Sequence, residues 1–133
     1  MEVRRAREAE LPAVMTILDA ALLQTAAADV RDAVAAGAVL VAASEGRVLG
    51  VLVLDPAGAA DGARVDAVAV RPGRRGRGLG SALVRAAAER HGRLVADFDA
   101  AVRPFWASLG FAVEPADEPG RFRGVLDEPL PRG

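Results

Sequence analysis

Between an alternating apolar segment and an amphipathic one, residues 71–81 read RPGRRGRGLGS, with four arginines, four glycines and a closing serine. So many glycines in close succession extend neither a helix nor a strand, so the run is a connection. Its flanks say what it connects. Upstream, ARVDAVAV (63–70) alternates with the period of a strand. Downstream, Leu79, Leu83 and Ala86 share one helical face. Arg90 and His91 suit the dipole at that helix's end, and Gly92 suits its cap. A strand–glycine–helix junction of this kind can be a solvated turn, part of a nucleic-acid-binding tail, or a cradle for a phosphorylated ligand.

The junction has the chemistry of an anion site. Glycines admit a ligand to the main-chain N–H groups, and a helix start adds unpaired amides and the positive end of the dipole. No acidic residue lies between Asp66 and Glu89, so Arg71, Arg74, Arg75 and Arg77 form a local positive surplus. A pyrophosphate with one further phosphate would match it.

Elsewhere the patterns mix without an internal repeat. Val3–Ala6 predicts a short strand; Leu11, Val14, Met15, Leu18 and Leu22 recur at helical spacing, with Pro12 in the first turn. A second helix is expected over Asp29–Ala36, stopped by Gly37. AVLVAAS and RVLGVLVLD, joined at Glu45-Gly46, predict a hairpin, followed by a loop over 55–62. RLVADFD is a further strand, residues 101–109 a short helix, and FAVE and RFRGVL a closing strand pair around PADEPG. The expected order is β-α-α-β-β-β-α-β-α-β-β. With no linker-like tract, residues 1–133 read as one α/β (α+β) sandwich around a mixed sheet.

Missing residue types narrow the chemistry. All 17 basic residues are arginine, and lysine, tyrosine, asparagine and cysteine are absent. Schiff-base, thiol and phenol chemistry therefore fall away, as does a Cys-based metal site. The single histidine, His91, makes no His-rich metal centre, so no metal is expected. A formal net charge of -1 argues against a nucleic-acid partner. Apolar runs are too short for a bilayer and the charged start MEVRRAREAE has no signal core, which together point to a cytoplasmic protein. GxxxxGK[ST] fails for want of lysine, and GxGxxG fails because Ser81 stands where the third glycine belongs.

The run R-G-R-G-L-G over 75–80 fits instead the R/Q-x-x-G-x-G/A signature of the GNAT superfamily of N-acetyltransferases. The flanking VAVRP and SALV are also similar to that superfamily's central motif. Downstream, FDAAVRPFWASLGF (98–111) resembles its N-x-x-A-x-x-F-Y-x-x-L-G-F segment, and the element order fits from end to end. The resemblance implies a GNAT sandwich that binds acetyl-CoA and an amine acceptor, a small molecule or a protein amine, with dimers common among relatives. It implies that the main chain of Val68, Ala69 and Val70 pairs with pantetheine while the valine side chains pack in the core. Arg75, Gly76, Arg77, Gly78, Leu79, Gly80 and Ser81 would form the pyrophosphate loop, with Ser81 serving as helix-start residue, ligand contact or both. The Val70 N–H would be the oxyanion donor.

Two positions depart from the family pattern. Trp106 stands where the family places its tyrosine acid, and an indole N–H donates a hydrogen bond but is a very poor proton donor. Asp99 stands where asparagine is usual; a carboxylate accepts from pantetheine amides but donates nothing. For the base, Asp66 lies four residues before Val70, on the same side of a regular pleat; Asp97 and Asp99 are alternatives, and each also reads as a solvated or arginine-paired carboxylate. His91 reads as a surface residue. Arg121 and Arg123 read either as attractors of an anionic acceptor or as exposed strand arginines. Two functions follow: acetyl transfer to an amine, or a non-catalytic acyl-CoA-binding module lacking the tyrosine acid.

Overall fold

The computed structural model describes residues 1–21, 26–56, 62–74 and 76–127. Leu22 and Arg75, both singled out above, lie outside them. The elements are β1 (Glu2–Arg5), α1 (Leu11–Ala20), α2 (Ala27–Ala35), β2 (Val39–Ser44), β3 (Arg47–Asp55), β4 (Ala63–Val70), α3 (Leu79–His91), β5 (Arg93–Asp99), α4 (Arg103–Ser108), β6 (Ala112–Pro115) and β7 (Arg121–Asp127). The mixed α+β order expected from the sequence is the observed one.

Seven strands form one sheet in the order β1-β2-β3-β4-β5-β7-β6. Of these neighbours, β4 and β5 alone run parallel. Parallel neighbours need a crossover, and α3 supplies it. The β2–β3 hairpin turns at Glu45 and Gly46, whose φ values of 52° and 79° fit a primed two-residue turn. The closing strands do not simply follow one another. β7 inserts between β5 and β6, leaving β6 at the edge.

Helices cover both faces of the β2–β3–β4 half, which explains why β2 and β3 are nearly continuous apolar runs. On one face Leu40, Leu52 and Leu94 pack with Leu83 and Val84 of α3. On the other, Val39, Val41 and Val51 pack with Val14, Ile17 and Leu18 of α1 and Val30 of α2. Among the described residues no helix is long and apolar enough to cross a membrane.

β1 is tied to the entry of α1 by one ion pair. Arg4 Nη1 and Nη2 each donate to a carboxylate oxygen of Glu10 at 2.8 Å, and the Arg7 N–H donates to the same carboxylate at 2.9 Å. Chiefly through Arg4, these bonds hold the Glu10 carboxyl at about 2, below its ordinary 4.5. A depressed carboxyl stabilises the fold above its unfolded value and loses that contribution as pH falls through the folded one. Glu10→Gln should therefore cost about 1 kcal/mol at pH 7. In thermal melts against pH, its gap to the parent should narrow below 4.5 and close near 2.

Candidate active site

β4 and β5 pair only at Ala63↔Leu94, Arg64↔Val95 and Val65↔Ala96. Beyond these they separate, while β5 stays bonded to β7 as far as Asp99↔Arg121. The separation starts at a bulge. Along β3, Leu54 faces Val65 and Val53 faces Ala67, so Asp66 has no residue opposite. A bulge bends its strand and increases its twist. It also reverses the side-chain faces: Ala63 and Val65 join the α3-side core, whereas Ala67 and Ala69 join the α1/α2-side core. Asp66 is thus the extra residue of the bulge rather than one step of a regular pleat running to Val70.

The gap opens into a cleft of about 980 Å³. From Asp66 onward the β4 edge facing β5 has lost its strand partner. The Arg71 N–H donates to the Leu49 carbonyl at 2.9 Å, so odd-numbered main-chain groups at this end of β4 face β3. By alternation, the N–H and C=O of Val68 and Val70 face the cleft. Their side chains pack against the α3-side core.

The N-terminus of α3 closes one end. Its first internal bond among the described residues runs from the Ala82 N–H to the Gly78 carbonyl at 3.0 Å, so among those residues the amides of Leu79, Gly80 and Ser81 have no helical acceptor. Among the described residues no side chain caps them. Gly78 takes φ 79°, ψ 9°, a left-handed conformation that turns the loop into the helix. Gly76, Gly78, Leu79, Gly80, Ser81 and Arg74 line the cleft. Arg77 is exposed beside it. Arg71 is engaged elsewhere, its Nε donating to the Val48 carbonyl at 2.7 Å.

The opposite wall is aromatic. Trp106 is 7% exposed and stacks on Phe98 at 5.4 Å, with Phe105 and Phe111 edge-on at 5.1 and 5.0 Å. Phe98, Phe105 and Trp106 also line the cleft. β7 admits this cluster because residue 124 is glycine: a Cβ there would stand 3.0 Å from Phe98 and 3.1 Å from Phe111. Phe98, Phe105 and Val102 are site residues that the sequence pattern did not single out. All three lie inside the 98–111 segment that carries the resemblance, so a signal existed.

Charged side chains cross the floor where the strands part. Arg64 Nη2 lies 3.2 Å from Asp97 Oδ2, and Arg123 Nε 3.2 Å from Asp97 Oδ1. Asp99, the expected pantetheine acceptor, lines the cleft and receives Arg121 Nη1 at 2.7 Å. Among the described residues, the one cation within ion-pair distance of Asp66 is Arg64, whose Nε stands 3.8 Å away. Burial pushes the Asp66 carboxyl up, the Asp55 charge adds to the shift, and Arg64 opposes it. Asp66 also lines a second hollow of about 530 Å³ beside α2, so it stands between two cavities. His91, in the last turn of α3, lies outside the cleft lining. Among the described residues no group of three His, Cys, Asp or Glu is arranged to hold a metal.

Solved structures share this architecture. Rv2747 from Mycobacterium tuberculosis, solved in complex with CoA, is 21% identical over 96% of this chain and 99% of its own, with TM-score 0.80. Ard1 from Thermoplasma volcanium is 17% identical over 97% and 98%, with TM-score 0.82. Ribosomal-protein-alanine N-acetyltransferase from Brucella melitensis is 23% identical over 96% and 99%, with TM-score 0.73. No curated protein matches the chain in sequence. The fold is therefore one used by acetyltransferases. The chain belongs to the GNAT family, whose acetyltransferase domain matches residues 35–113.

The raised Asp66 carboxyl has a consequence for stability. A carboxyl held above its unfolded value favours the fold below that value and loses this as pH rises through the folded one. The ionised side chain is therefore a cost at neutral pH. Asp66→Asn should raise the Tm at pH 7 by roughly 1–3 °C. The gain should vanish in melts below pH 3.8, the ordinary aspartate value.

Proposed function

We propose that residues 1–133 form one N-acetyltransferase domain that moves an acetyl group from acetyl-CoA to a primary amine, on a small molecule or a protein. One observation carries this reading. The free β4 edge at Val68 and Val70 and the first-turn amides of α3, unpaired among the described residues, open into the same cleft. Such an arrangement suits a ligand with an amide-bearing arm at one end and phosphates at the other. Val68 and Val70 would pair with the arm as an added strand does. Leu79, Gly80 and Ser81 would hold the pyrophosphate, with Arg74, Arg75 and Arg77 supplying charge.

In the transfer, the amine nitrogen attacks the thioester carbon, a C–N bond forms and the C–S bond breaks. The Val70 N–H donates to the oxygen that gains charge. Asp66 is the candidate base: it is the least tightly paired cleft carboxylate, and its raised value brings it nearer the working pH. Trp106 supplies shape and one N–H donor rather than an acid, so the departing thiolate takes its proton from solvent.

The second reading, a non-catalytic acyl-CoA-binding module, is favoured by Trp106, whose ring is held in the aromatic wall. Thiol release from acetyl-CoA over a panel of amines separates the two. Transfer to any amine supports the enzyme; tight CoA binding with no release on every amine supports the module. The phosphate end has its own test. Gly78→Ala should weaken CoA binding about tenfold, because a side chain there enters the cradle and strains the turn. Gly46→Ala is the control: it also sits at φ 79° with nothing within 4 Å, but in the β2–β3 turn. Calorimetry should show CoA affinity intact in that variant despite similar lost stability.

A further inference from the structure

Arg71 heads the glycine run, yet it does not line the cleft. Among the described residues its bonds serve the connection itself. The main-chain N–H donates to the Leu49 carbonyl at 2.9 Å, and the Arg71 carbonyl accepts from the Arg74 N–H at 2.8 Å. The side chain adds a third bond, from Nε to the Val48 carbonyl at 2.7 Å. At Pro72 the main chain leaves β4 for the Pro72–Arg74 turn, and the guanidinium carries the tie to β3 one residue further, to Val48. The receiving segment is itself irregular: Ala42 faces Gly50 and Ala43 faces Val48, which leaves Leu49 as the extra residue of a second bulge.

We propose that Arg71 is a positioning residue, a clamp that fixes the end of β4 against β3 and thereby sets Val70 relative to the start of α3. The inference rests on the acetyl-CoA reading above. The peptide between Val70 and Arg71 is planar, so holding the Arg71 N–H on Leu49 turns the Val70 carbonyl into the cleft. The same residue closes the Pro72–Arg74 turn that leads toward Gly76 and Gly78. The strand edge for the ligand's arm and the helix start for its phosphates therefore meet at one side chain. A displacement of about 1 Å between such halves is enough to cost up to 100-fold in a positioned reaction. From charge alone Arg71 belongs with the phosphate ligands; its geometry commits it to two neighbouring carbonyls of β3.

Arg71→Gln in the full chain separates these roles. Titrations with CoA and with phosphate-free pantetheine give the affinities, and amide hydrogen exchange in the ligand-free protein gives the clamp. A clamp predicts faster exchange at the Arg71 amide and a parallel loss of affinity for both ligands, about tenfold. Arg71→Lys, which keeps the charge, should show the same parallel pattern. A loss confined to CoA and restored by lysine would make Arg71 a phosphate ligand and overturn the proposal. Unchanged exchange would overturn it as well. A parent protein that binds no CoA would remove the acetyl-CoA reading, while the exchange measurement would still judge the clamp.

Discussion

Everything at the site depends on one strand losing its partner. β4 is paired on both sides at Arg64 and Val65 and beyond them on the β3 side only. A sheet interior does not normally leave main-chain donors and acceptors open, because unpaired groups away from water are costly. Here the open edge faces a cleft rather than packed side chains, so its N–H and C=O groups remain available to a ligand. The bulge at Asp66 is where the strand turns away from β5, and the aromatic wall of Phe98, Trp106 and Phe111 fills the space behind β5.

The rest of the molecule holds this gap open. Helices α1, α2 and α3 bury both faces of β2, β3 and the end of β4, making a rigid base. The β5–β7 half carries charge instead: Asp97 and Asp99 lie directly across from Arg123 and Arg121, and each pair is joined by an ion pair. Exposed pairs like these contribute little stability. They do set register and polarity on the wall that faces β4. Asp66 stands at the border between the two halves, where burial and the Asp55 charge disfavour the charged form and the distant Arg64 only partly offsets them.

Much of this architecture is legible in the sequence. ARVDAVAV and RLVADFD delimit β4 and β5 to the residue, because alternation and flanking glycines are local signals. The glycine run between β4 and α3 stands out for the same reason: left-handed φ at Gly76 and Gly78 is a local demand that glycine meets. The position of β7 is not legible. FAVE and RFRGVL read as a simple closing pair, but β7 has its other edge on β5, and that choice is made by burying Phe98 and Phe111 over Gly124. Arg71 misleads for a related reason, since composition counts its charge and says nothing of which carbonyl it reaches.

By itself the sequence determined the order of elements, the glycine-built turn into α3, the arginine surplus around that turn, and the absence of any tyrosine. These follow from short-range sterics, periodicity and residue chemistry. Only the tertiary structure decided where β4 parts from β5. A bulge is one residue too many relative to a partner strand, and so has no meaning until β3 is in place. That single excess residue, Asp66, moves Ala67 and Ala69 to the face opposite Ala63 and Val65, turns the edge at Val68 and Val70 toward open space, and makes a strand end into a site.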